Sequence, residues 1–109
     1  MAAWCVSCIQ GARQMAELQR EYGARGLWVL AIDVDQGETA EDLARFRDLA
    51  GDPQYDWALD TGGRMMQALA IRSLDATLLV SPNGEVLFRS ESLPNPNTLR
   101  RAVQLALGL

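Results

Sequence analysis

Trp4-Cys5-Val6-Ser7-Cys8 holds both cysteines of the 109-residue chain, two residues apart, at the point where an apolar helical pattern begins. That is the arrangement of a dithiol that opens and closes a disulfide. A short loop across the first turn of a helix lets two sulfurs reach bonding distance, and the helix start sets free N–H groups and the positive end of the dipole beside the first sulfur. Cys5 is therefore the expected nucleophile. Such placement can lower a thiol pKa from roughly 8.5 into a range of about 3.5–7.5, which raises the thiolate fraction near neutral pH. Cys8, about one turn further in, is the expected resolving thiol.

Other uses of the pair fit less well. Two unrelated buried cysteines would not require the strict spacing or the adjacent Trp4. A structural zinc site needs about four ligands, and the sequence offers two Cys and no His, so no metal is expected. A purely structural disulfide closing so short a loop would remove little entropy from the unfolded chain.

Composition narrows the class. The length suits a single domain with one core. The formal net charge is −4, and all ten basic residues are Arg, scattered apart from the Arg100-Arg101 pair. No basic patch marks a nucleic-acid partner. The longest apolar run, Leu27 to Ile32, is too short to span a membrane. As written, no export signal precedes the cysteines, so the expected compartment is the cytoplasm.

Outward from the cysteines, Val6, Ile9, Ala12, Met15, Leu18 and Tyr22 recur near helical period, and Gly23 and Gly26 stop the helix. Leu27-Trp28-Val29-Leu30-Ala31-Ile32 reads as a strand covered on both faces. Asp33-Val34-Asp35 then reads as a solvated strand-to-helix loop, although ligands often bind at this end of open α/β sheets. Thr39 is the expected cap of a helix through Leu43, Phe46 and Ala50 to Gly51, and Asp52-Pro53 breaks the chain. Trp57-Ala58-Leu59 suggests a short strand, and a helix from about Gly63 to Ala70 follows, with Met65, Met66 and Leu69 as core packing. Thr77–Ser81 and Glu85–Arg89 flank Pro82-Asn83-Gly84, a hairpin signal. A last helix starts at Asn95-Pro96 and carries Leu99, Ala102, Val103 and Ala106 on one side.

This order, with Ala3-Trp4-Cys5-Val6-Ser7-Cys8 at its head, resembles the thioredoxin superfamily, and within it the thiol-disulfide oxidoreductases related to the thioredoxin-like proteins of cytochrome c maturation. Trp28 to Asp35 resembles the family's strand after the first helix. Ala70-Ile71-Arg72-Ser73-Leu74, Thr77 to Val80 and Pro82-Asn83-Gly84-Glu85-Val86 resemble its substrate-facing loop and hairpin. The resemblance implies an α/β fold, a central mixed sheet flanked by helices. It also implies dithiol–disulfide exchange with protein thiols and disulfides, served by an upstream dithiol donor or acceptor and needing no cofactor. Trp4, Leu74, Asp75 and Ala76 then become the expected substrate-binding residues beside the catalytic Cys5 and Cys8.

Three departures qualify it. Asp75 occupies the family's usual cis-proline position, where a carboxylate near the thiols would disfavour thiolate, face solvent, or accept a proton from Cys8. Gly11 and Arg13 replace a Glu and a Pro that the exported branch often carries. Only Met1-Ala2-Ala3-Trp4 remains of the central strand that leads into the cysteines, so residues 1–109 are expected to be a thioredoxin-like domain shortened at its start. A strand-exchanged homodimer is one remedy, and an extracytoplasmic, membrane-tethered location is the alternative expectation for a longer form. The expected function is protein-disulfide oxidoreductase. Its rival is a catalytically weak thioredoxin-fold module that binds partners or senses redox state.

Overall fold

The computed structural model describes residues 1–109. In chain order the elements are α1 (Ser7–Tyr22), β1 (Leu30–Asp33), α2 (Ala40–Leu49), β2 (Asp56–Leu59), α3 (Arg64–Ala68), β3 (Thr77–Val80), β4 (Val86–Ser90) and α4 (Pro96–Ala106), with 3-10 turns at Gly23–Arg25 and Thr61–Gly63. The local signals explain most of these limits. α1 gives way to a 3-10 turn closed by Gly26 at φ 112°, a left-handed conformation that suits glycine. Thr39 and Asp42 form a reciprocal capping box at the start of α2. Asn95 accepts from the Asn97 and Thr98 amides, and Pro96 opens α4.

The strands form two separate pairs. β1 and β2 run parallel, Leu30 opposite Asp56, whereas β3 and β4 form the antiparallel hairpin. Between the pairs lies a cleft of about 810 Å³ walled mainly by apolar side chains, among them Leu30, Ile32, Met65, Leu69, Leu78 and Val80. The mixed α/β architecture is present, with its sheet in two halves.

Met1 stands at the mouth of that cleft. Its amino group donates to the Ile32 carbonyl at 2.8 Å, and the Val34 amide donates to the Met1 carbonyl at 2.9 Å. This is the two-bond pattern of a parallel bridge. β2 uses the carbonyls of Val29 and Asp33 instead, so Met1 pairs with the opposite edge of β1.

The cleft corrects two expectations. The run from Leu27 is not a strand covered on both faces, since pairing begins at Leu30 and Trp28 is 69% exposed. No residue of α3 is buried, and Met65 and Met66 face the cleft rather than a closed core. In both cases nothing packs between the sheet halves. The surface area agrees: a folded 12.0 kDa monomer exposes about 6,000 Å² by mass scaling, and this chain exposes 6758 Å².

The core is correspondingly divided. Ala2, Cys5, Cys8, Ala12, Phe46 and Ala50 form one buried cluster, against which Trp57 and Leu74 pack. Leu18, Tyr22, Leu99 and Val103 form the other. The cysteines therefore belong to a packed layer.

Candidate active site

The chain enters the site through a four-residue approach that is fastened by backbone and carboxylates. Besides the Met1 bridge to β1, the Ala3 amide donates to Glu38 Oε1 at 2.7 Å, and Trp4 Nε1 donates to Asp35 Oδ2 at 2.7 Å. The Cys5 amide closes the turn onto the Ala2 carbonyl at 3.1 Å. These contacts aim Cys5 at the start of α1. Asp35 lies in the Asp33-Val34-Asp35 segment read in sequence as a solvated loop, and that reading is corrected for Asp33, which is 1% exposed. Asp33 Oδ1 accepts the Asp35 amide, and Oδ2 has no protein partner. Burial, followed by repulsion from the neighbouring Asp33 and Asp35, pushes the Glu38 carboxyl above its ordinary pKa, against the Ala3 amide, which pulls it down. Burial likewise lowers the Met1 ammonium, opposed by the fields of Asp33, Asp75 and Glu38.

Cys5 and Cys8 are joined as a disulfide, with Cα atoms 5.3 Å apart. Cys5 precedes α1 and Cys8 lies in its first turn, both within the buried cluster. No side chain caps this helix end, and its first turn holds no acid, so the positive dipole end is left for the sulfur. α1 continues unbroken past Gly11 and Arg13 to Tyr22. Without a proline, every interior amide can bond to the preceding turn.

The loop before β3 covers the disulfide. Cys8 Sγ lies 3.6 Å from the Leu74 carbonyl oxygen and 3.8 Å from Asp75 Oδ1. Ser7 Oγ is 3.3 Å from Cys5 Sγ, and at 3.4 Å it is placed to donate to Asp75 Oδ1. Asp75 therefore faces the sulfurs rather than open solvent. The Asp75 amide donates to Ser73 Oγ and the Ala76 amide to the Ser73 carbonyl, a local turn that fixes the loop. Every peptide bond is trans, those of Asp75 included.

The predicted site residues thus converge in part. Leu74 and Asp75 meet the cysteines directly, and Ala76 shapes the loop. The Trp4 ring is 64% exposed and Val6 80% exposed, so an apolar rim borders the disulfide on its outer side. Sequence reasoning missed Ser7, which links Cys5 to Asp75, and missed Asp35 and Glu38 as fasteners of the approach. The signal for the two acids was available: three carboxylates crowd the end of β1, more than a plain turn needs.

Comparisons with known proteins bear on the family and the fold. A structure from Chlorobium tepidum, provisionally described as a thiol:disulfide interchange protein DsbE, superposes with a TM-score of 0.87 at 25% identity, over 98% of this chain and 75% of that one. StoA from Bacillus subtilis superposes with a TM-score of 0.77 at 15% identity, over 94% of this chain and 77% of its own, a likeness of fold. Among curated proteins, the thiol-disulfide oxidoreductase ResA of Bacillus thuringiensis is 26% identical over 85 residues, 77% of this chain and 47% of ResA. A Streptomyces lividans protein named mercury resistance operon ORF3 is 24% identical over 104 residues, 94% of this chain and 54% of its own. The chain spans about half the length of the curated relatives it matches. The model of the AhpC/TSA family matches residues 1–89, from the approach to the cysteines through most of the hairpin. With its thioredoxin-like fold and its cysteine pair at the head of α1, the chain belongs to the AhpC/TSA family.

Proposed function

We propose that this domain is a thiol-disulfide oxidoreductase that exchanges disulfides with protein partners. The observation that carries the reading is the Cys5–Cys8 disulfide at an uncapped helix start, faced by the Leu74–Ala76 loop and bordered by exposed Trp4 and Val6. In the reducing direction the Cys5 thiolate attacks one sulfur of a partner disulfide, and the partner's other sulfur leaves as a thiolate. Cys8, as thiolate, then attacks Cys5 Sγ and releases the partner's second sulfur. The partner gains two electrons and the domain ends as the disulfide. Asp75 Oδ1, 3.8 Å from Cys8 Sγ, is placed to receive the Cys8 proton before this second attack. The exposed Trp4 ring offers the partner a flat apolar contact. Reduction of insulin disulfides with a dithiol donor tests the reading. Turnover is expected from the native protein, and an unchanged rate in Cys5→Ser would sink it.

Asp75 also supports a second reading, a binding or redox-sensing module with little turnover. A carboxylate this close to the thiols opposes thiolate formation, against the helix dipole. Iodoacetamide alkylation across pH separates the two: a Cys5 apparent pKa below that of a free thiol supports the enzyme, and an ordinary one supports the module.

The proposal extends to how the domain is completed. A strand running parallel to β1 and ending at Met1 would continue the bridge already made to Ile32 and Val34, and would meet the open edge of β3 across the cleft. Unpaired sheet edges lined with apolar residues favour such an addition.

A further inference from the structure

Cys5, Cys8 and Asp75 place two sulfurs and a carboxylate oxygen within 4.8 Å of one another. We infer that the reduced site binds one thiophilic divalent cation of the Zn²⁺ class, held by the two thiolates and the Asp75 carboxylate. The inference rests on the same dithiol as the proposed exchange activity, but not on its turnover.

Distances favour it. With Zn–S of about 2.3 Å and Zn–O of about 2.1 Å, tetrahedral geometry sets sulfur and oxygen ligands about 3.6 Å apart and two sulfurs about 3.8 Å apart. Asp75 Oδ1 already stands 3.8 Å from Cys8 Sγ. Once the sulfur–sulfur bond is opened, the sulfurs need to part only to that spacing. The Leu74 carbonyl, 3.6 Å from Cys8 Sγ, lies on the same side, and water can complete the coordination. Ser7 Oγ, within 3.5 Å of both Asp75 oxygens, is the kind of outer donor that orients a ligating carboxylate.

Charge favours it as well. Two thiolates and a carboxylate gather three negative charges, and Asp75 belongs to none of the four ion pairs of the chain. The Met1 ammonium is within electrostatic reach of Asp75, and it supplies a single charge. The donor set of two sulfurs and one oxygen suits Zn²⁺ better than Mg²⁺ or Ca²⁺, which take oxygen throughout.

The chemistry balances. A dithiol reductant first delivers two electrons and two protons to the disulfide. Binding of M²⁺ then displaces the two thiol protons, with no change in the oxidation state of metal or sulfur. While the cation is bound, the Cys5 thiolate is withheld from partner disulfides; a small-molecule disulfide in excess, taking up the pair's two electrons to become two thiolates, restores the Cys5–Cys8 bond and expels the metal.

Anaerobic titration of the reduced protein with Zn²⁺, in competition with a chromophoric chelator, tests this. One equivalent is expected to bind the reduced protein and none the oxidised. Asp75→Ala and Asp75→Asn should weaken binding by roughly ten-fold or more, since even groups that only support a ligand cost about that much. Co²⁺ should give a sulfur-to-metal charge-transfer band that Cys8→Ser diminishes. Circular dichroism of each variant controls for folding. No stoichiometric binding by the reduced native protein overturns the inference, and so does unchanged affinity in both Asp75 variants. Zn²⁺ binding that depends on Asp75 in a protein lacking insulin turnover upholds it while the proposed activity fails. Turnover without Zn²⁺ binding does the reverse.

Discussion

Reducing the Cys5–Cys8 bond should weaken the fold only modestly. The disulfide closes a loop of sequence separation 3, and for a loop of about four residues the chain-entropy relation gives about 6 cal/mol/K, or about 1.9 kcal/mol at 25 °C. The folded protein has other reasons to keep these residues in place. Both cysteines pack with Ala2, Ala12, Phe46 and Ala50, and the approach is fastened to β1, Asp35 and Glu38. Urea unfolding of the oxidised and the reduced protein should therefore give two cooperative transitions that differ by no more than about 2 kcal/mol. At an m-value of about 1–2 kcal/mol/M, that is a midpoint shift of roughly 1–2 M. Linkage supplies an independent check. Because about 1.4 kcal/mol corresponds to about 30 mV for a two-electron couple, the pair should be about 40 mV more reducing in the folded domain than in the unfolded chain. A loss above about 4 kcal/mol on reduction, or outright unfolding, would refute the reasoning. The disulfide would then be a structural staple.

Other parts of the account are open to test. Phe46 is 1% exposed and meets the Trp57 ring edge-on at 5.9 Å, so Phe46→Ala should cost about 3 kcal/mol in urea unfolding. Glu38 has a folded pKa raised by burial, so its contribution to stability is present below the ordinary Glu value and is lost as pH rises through the raised one. Glu38→Gln keeps an acceptor for the Ala3 amide and should remove that loss, seen as a flatter stability curve as pH rises above the ordinary Glu range. An extension before Met1 of five or six alternating Val, Ile and Thr residues should raise the Tm by at least about 4–8 °C, the shift for each kcal/mol in a domain of this size. A version carrying proline should not, and a concentration-dependent dimer would indicate that copies exchange strands instead.

The sequence made the redox pair legible because its chemistry depends on spacing and on a helix start, both local properties. The caps at Thr39 and Asn95 and the turn at Pro82-Asn83-Gly84 were legible for the same reason: each satisfies backbone groups within a few residues. Burial was harder to read. The run from Leu27 and the side chains of Met65 and Met66 carry the pattern of a covered core, but whether anything covers them depends on what lies between β1 and β3. Asp35 was read as solvated and Glu38 was passed over because their partners, Trp4 and Ala3, lie about thirty residues earlier. A polar cluster at a strand end looks solvated until the long-range contacts are known. Asp75 was recognised by its position relative to the hairpin, but its approach to Cys8 follows from the turn at Ser73, which propensity alone does not orient.

Trapping of the covalent intermediate tests the central claim most directly. Cys8→Ser, incubated with a disulfide-containing protein, should accumulate a one-to-one mixed disulfide through Cys5, visible by mass spectrometry and released by a dithiol. Cys5→Ser should form no such adduct and show no turnover. An adduct through Cys8 in the Cys5→Ser protein with turnover retained, or no adduct in Cys8→Ser, would contradict the assignment of Cys5 as nucleophile and Cys8 as resolving thiol.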